Sequence, residues 1–175
     1  EFFLALKNPG EQTLDFLLEI ASRQHGDSSI DRVARHDYPE ELFLTLSPAA
    51  RDSLPARFAV ATHPGAKSFL ARMLLSSGKH DVFLTLAQDT VGRNVIGRFG
   101  WTARSTIIYD RKPIGAGTSS YELIPRDLSA LRKGLYALAT SGDQETVAFA
   151  SEFLERIEGE RDEKGGFDAG PRHPD

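Results

Sequence analysis

The sequence predicts an all-α helical-repeat domain, a stack of short helices interrupted once, near residues 101–126, by an inserted loop or small β-hairpin. A motif recurs at a forty-residue spacing: "EFFLAL" from Glu1, "ELFLTL" from Glu41 and "DVFLTL" from Asp81. Polar-proline pairs at Asn8-Pro9, Ser47-Pro48 and His63-Pro64 read as helix starts, because proline at the first helical position gives up an N–H that has no intrahelical acceptor. Between these marks the apolar residues fall at helical rather than alternating spacing.

After Pro9, Leu14, Leu17, Leu18 and Ala21 share one face, predicting a helix from about Pro9 to Gln24 with Gly26 as its stop. Ser28 or Ser29 caps a short helix carrying Ile30 and Val33, and Tyr38-Pro39 then restarts the chain into "EELFLTL". Pro48 and Pro55 bracket a very short helix. From Pro64 a stripe of Ala66, Phe69, Leu70, Met73 and Leu74 runs to a stop near Gly78. Asp89 caps the next helix, whose stripe is Val91, Val95, Ile96 and Phe99 and whose stop is Gly100.

From Trp101 to Arg126 the texture changes. "STIIY" is β-branched and aromatic, "DRKP" is a turn and "IGAGTSS" is small and glycine-rich, hence the predicted loop or hairpin. Leu128, Leu131, Leu135 and Leu138 then share a helix face. Ser141 and Gln144 stand at capping-box spacing ahead of Val147, Ala150, Leu154 and Ile157, and Gly159 reads as the stop. The domain is expected to cover residues 1–158, with 159–175 a flexible charged tail or linker.

The echo resembles the helical hairpins of HEAT and armadillo α-solenoids, whose units bury their faces only by stacking. "VATHPGAKSFLARML" from Val60 resembles the short-helix repeats of leucine-rich-variant type. One departure is plain: Pro55 and Thr62-Pro64 interrupt the middle unit where the first runs on unbroken. The resemblance implies a stack with an exposed groove for a protein partner. Alkylpurine DNA glycosylases built from HEAT-like repeats share this class, but no motif here carries their catalytic residues over.

Composition narrows the chemistry. With no cysteine the chain has no disulfide, thiolate nucleophile or Cys-ligated zinc. His25, His36, His63, His80 and His173 show no metal-ligand spacing, "GAGTSSYE" is no nucleophile elbow, and Pro125 closes the segment after Gly115 and Gly117 before a phosphate-binding helix could open. No catalytic residue, metal ligand or cofactor is assigned. No apolar run is long enough to span a bilayer, so the expectation is a soluble protein with the cytoplasm as default compartment. Glu1 lies within an apolar segment and Asp175 directly follows "PRHP", which predicts a piece of a longer protein.

Charge is uneven. Residues 91–133 carry eight cations (Arg93, Arg98, Arg104, Arg111, Lys112, Arg126, Arg132, Lys133) against Asp110, Glu122 and Asp127, within a chain of net charge -4. The function predicted is a non-enzymatic scaffold that binds a protein partner or another domain of its parent chain, with Trp101, Arg104, Tyr109, Arg111 and Lys112 as contacts. Trp101 has a second reading as core, since it follows a helical stripe. The alternative function is nucleic-acid binding through the basic stretch 93–112, where cations interleave with aromatics.

Overall fold

The computed structural model describes residues 10–22, 38–99, 101–114 and 121–165. The first echo motif, the expected helix around Ile30 and Val33, and Gly115 and Gly117 lie outside the described residues. The chain divides into two compact units, Glu1–Leu128 and Ser129–Asp175. The described structure is mostly helical, with one small antiparallel strand pair.

The first unit contains α1 (Glu11–Ser22), α2 (Tyr38–Thr45), α3 (Pro48–Val60), α4 (Pro64–Ser76), α5 (Asp81–Ala87), α6 (Thr90–Gly97), α7 (Trp101–Ile108) and the strands β1 (Tyr109–Pro113) and β2 (Tyr121–Pro125). Its organising element is α4. Every residue from Ser68 to Leu75 is buried, so no face of the helix is left to water, the signature of a central helix. It packs on α1, α2, α3, α5, α6 and α7. The two described echo motifs, α2 and α5, both lie against this central helix.

Local chemistry starts the helices where the sequence indicates. Ser47 Oγ accepts from the Ala50 N–H at 3.3 Å, His63 Nδ1 from the Gly65 N–H at 3.1 Å, and Asp89 Oδ1 from the Gly92 N–H at 2.7 Å. Each satisfies a first-turn donor that the helix cannot. Gly92 also permits close packing, since a Cβ there would fall on the Leu86 carbonyl of α5.

Several expected boundaries move. Pro55 does not end a short helix; α3 runs through it to Val60. Anchors on both sides outweigh the lost backbone bond: Ala50 and Leu54 are buried ahead of the proline, and Arg57 behind it pairs with Glu11 and Asp15 of α1. The β-branched run at Ser105–Ile108 is the last turn of α7 rather than strand. Thr106, Ile107 and Ile108 are buried there and α7 packs on α4, so tertiary burial overrides the β preference.

The second unit pairs α8 (Ser129–Ser141) with α9 (Gln144–Gly165). Leu131 and Leu135 are buried on α8, and Ala150, Leu154 and Ile157 on α9. The cap of α9 is Asp143, not Ser141: Asp143 accepts from the Thr146 N–H at 3.0 Å and from its hydroxyl at 2.8 Å, while Ser141 donates back to Ala137 within α8. Gly159 does not stop α9, which continues to Gly165. One glycine costs about 1 kcal/mol against alanine, and the Glu, Arg and Lys residues around it are good helix formers.

Substitution at the hub has a large expected cost. Phe69→Ala removes a fully buried ring from α4 and lowers unfolding free energy by about 3–5 kcal/mol, measured by denaturant titration. Pro55→Ala restores an N–H inside α3 and raises it, on the order of 1–3 kcal/mol.

Candidate functional site

The hairpin of the first unit exposes a cluster of apolar side chains, Ile114, Leu123 and Ile124. Its register pairs Tyr109 with Pro125, Asp110 with Ile124, Arg111 with Leu123, Lys112 with Glu122 and Pro113 with Tyr121. Just beyond, the Arg126 N–H donates to the Ile108 carbonyl at 2.9 Å. Hydrogen-bonded and non-hydrogen-bonded pairs alternate along an antiparallel ladder, so Asp110 with Ile124 and Lys112 with Glu122 are the bonded pairs. Pro113 and Pro125 therefore occupy positions where no ladder N–H is needed, which explains how a short strand pair tolerates both.

Side chains alternate as well. Tyr109 is only 8 % exposed and belongs to the core, whereas Asp110 and Lys112 are exposed and Arg111 is half-buried. On β2 both Leu123 and Ile124 are exposed, at 48 % and 39 %, although they point to opposite faces. Ile114, just after β1, is 55 % exposed. The hairpin is thus seated at its Tyr109 end and wet on both faces farther out.

Polar ties hold the seated end. Arg126 Nη2 donates to the Ser76 carbonyl at the end of α4 at 2.9 Å and pairs with Asp110 at 3.2 Å. His80, ahead of α5, donates from Nε2 to the Ile107 carbonyl at 3.0 Å. Gly78 makes room between them: its φ is 79°, in the left-handed region, and a Cβ would stand 2.5 Å from Arg126 Nη1. Burial pushes the His80 imidazole below its ordinary 6.5 and the Arg126 charge adds to that, against the Ile107 hydrogen bond and the carboxylates of Asp81 and Asp127. Burial likewise lowers the Arg126 pKa, opposed by Asp110.

Of the residues singled out in the sequence, Trp101 and Arg104 lie on α7, their side chains outside the described atoms. Tyr109 anchors β1, and Arg111 and Lys112 follow it onto the hairpin. Arg93 of the basic stretch is engaged locally, with the Ala87 carbonyl and the Thr90 hydroxyl. Leu123, Ile124, Arg126 and His80 were not legible as a group; the pairing register and a fifty-residue separation bring them into one region. The cleft lined by Leu44, Ser76, Thr106, Asp110, Arg111 and Arg126 has a volume of ≈ 10 Å³, room for about one water and far below a metabolite. Among the described residues no group of three or more His, Asp or Glu side chains is placed to hold a metal ion, and no helix is long and apolar enough to cross a membrane.

A family model described as NACHT C-terminal Alpha/Beta 2 matches residues 103–175. That stretch contains most of α7, the hairpin, α8 and α9. No curated protein and no solved structure matches the chain.

The ties at the hairpin base make two expectations. Gly78→Ala forces a side chain into the left-handed region, which costs about 1–2 kcal/mol, and presses on Arg126; in an Arg126→Ala background the added loss shrinks, as a double-mutant cycle of unfolding free energies will show. Because the folded-state pKa of His80 is lowered, its contribution is present above pH 6.5 and is lost as pH falls from there through the folded value. Thermal unfolding should show this decline as pH falls below 6.5, and His80→Gln should flatten it; equal slopes in the two proteins would contradict the assignment.

Proposed function

We propose that this chain is a non-enzymatic interaction module within a larger protein of NACHT type, and that the β1–β2 hairpin is its docking element. The observation that carries the reading is the contrast along one hairpin: fixed by buried and charged ties at Tyr109, His80 and Arg126, yet bare at Leu123 and Ile124. A two-stranded hairpin wet on both faces gains little from its own burial. A partner surface would supply what it lacks. The match over residues 103–175 includes the whole hairpin and supports a setting beside other NACHT-protein segments.

In this reading Leu123, Ile124 and Ile114 supply apolar contact area, and Arg111 and Lys112 set orientation by pairing with carboxylates of the partner. Tyr109 holds the strand from inside. Trp101 and Arg104, one turn apart on α7, are further proposed contacts. The partner is another domain of the parent chain or a separate protein, and the cytoplasm is the compartment proposed. The HEAT-like resemblance is kept at the local level, where α2–α3 and α5–α6 each set a short helix before a capped second one.

Calorimetric titration of this chain with the remainder of its parent protein tests the reading. Leu123→Lys with Ile124→Lys should weaken binding at least tenfold, about 1.4 kcal/mol, while Val60→Lys, at a residue 77 % exposed on α3, should leave it unchanged. Equal affinity in all variants would remove the hairpin from the account. Salt-steep binding to RNA or DNA, lost in Arg111→Glu with Lys112→Glu, would replace it with nucleic-acid recognition.

A further inference from the structure

The two long edges of the hairpin are not equivalent. At the non-bonded pairs, the backbone groups of Tyr109, Arg111 and Pro113 face outward from β1, and those of Tyr121, Leu123 and Pro125 face outward from β2. On β1 that edge is blocked. The Arg111 N–H is taken by Asp110 Oδ1 at 2.9 Å, and Pro113 has no N–H. On β2 Pro125 likewise lacks an N–H, but among the described residues no such device protects Leu123, whose N–H and carbonyl both face away from the sheet, beside side chains 48 % and 39 % exposed. The sheet has only these two strands among the described residues. Natural sheets usually blunt an edge with proline, charge or a covering element; here each outward edge carries one proline, Pro113 or Pro125, and the edges differ at their centres, where β1 has the engaged Arg111 N–H and β2 has Leu123.

We infer that β2 is a template for strand addition, and that its occupant is an extended segment of a protein partner, apolar opposite Leu123 and Ile124 and carrying a lysine or arginine opposite Glu122. Main-chain bonds at Leu123 and Tyr121 would give affinity, and the alternating side chains would give selectivity. The cation follows from charge: Glu122 is exposed, is the charged side chain of β2 and has Lys112 opposite it on β1, so a cation on the added strand would flank the carboxylate from its open side. Charge also decides against a second copy of this chain. A two-fold centred on Leu123 would set the Glu122 carboxylates of the two copies diagonally across the junction, an unfavourable like-charge arrangement. This inference rests on the docking reading above and specifies how the hairpin docks.

Amide exchange followed by NMR tests it, first on the chain alone. The Glu122 and Ile124 amides face β1 and should be protected, while the Leu123 amide between them should exchange at least about tenfold faster. The probe is a synthetic peptide, acetyl-Thr-Val-Val-Lys-Thr-amide, which in antiparallel pairing sets its lysine opposite Glu122. At millimolar concentration it should slow Leu123 exchange severalfold, and the same peptide with glutamate in place of lysine should do so less. Leu123→Pro removes the outward N–H without removing a ladder bond, as Pro125 already shows is tolerated, and should abolish the effect; Leu123→Ala should retain part of it. A Leu123 amide protected in the dilute chain, or unaffected by the lysine probe, overturns the inference. Protection that rises with chain concentration assigns the edge to a second copy and overturns the choice of occupant. If Leu123→Lys weakens binding to the parent protein while the Leu123 amide stays unprotected in that complex, docking stands and strand addition fails.

Discussion

The grip of Arg126 on the end of α4 is the constraint on which the hairpin depends. The last carbonyls of a helix have no intrahelical donor, and at Ser76 that need is met by the guanidinium from the far end of β2. His80 does the same for the Ile107 carbonyl in the last turn of α7. Two helix ends that would otherwise face water are thereby turned into sockets for the strand pair. The residues that make the sockets are few and closely fitted, since Gly78 must be left-handed and bare of a Cβ for Arg126 to reach across it.

Behind those sockets stands α4, buried on every side, so hub and hairpin form one chain of dependence. Ser76, whose carbonyl holds Arg126, is the last residue of the helix that Phe69 packs into the core. The pair Arg126–Asp110 is itself lopsided, with the guanidinium side chain 13 % exposed and the carboxylate 59 %. An exposed partner contributes little by itself; the arginine also donates to the half-buried end of α4 at Ser76. Among the described residues the outer hairpin has no comparable support, and its leucine and isoleucine are exposed.

The parts of this fold that were legible in the sequence are those governed by adjacent residues. Ser47, His63 and Asp89 announced their helices because capping acts within three positions, and the change of texture after Gly100 announced a loop or hairpin, although "DRKP", expected as a turn, is strand β1. Pro55 misled, because anchors from Leu54 and from the Arg57 ties to α1 outweigh a local break, and that tie spans forty-two positions. The run at Ser105–Ile108 misled for the same reason, being buried as helix against α4. At the candidate site, Arg111 and Lys112 were legible as cations interleaved with aromatics, and Tyr109 was noticed for its ring but serves as an anchor. Leu123, Ile124 and Arg126 gain meaning only from register and from a helix end fifty residues away, neither of which periodicity reports.

The most direct measurement is site-specific photo-cross-linking in the intact parent protein, with a photoreactive amino acid placed in turn at positions 123, 60 and 136, all exposed. Position 123 should cross-link efficiently to one defined segment, while 60 and 136 should give only background. Capture of the same segment from 60 or 136, with none from 123, would contradict this and move the interaction surface off the hairpin.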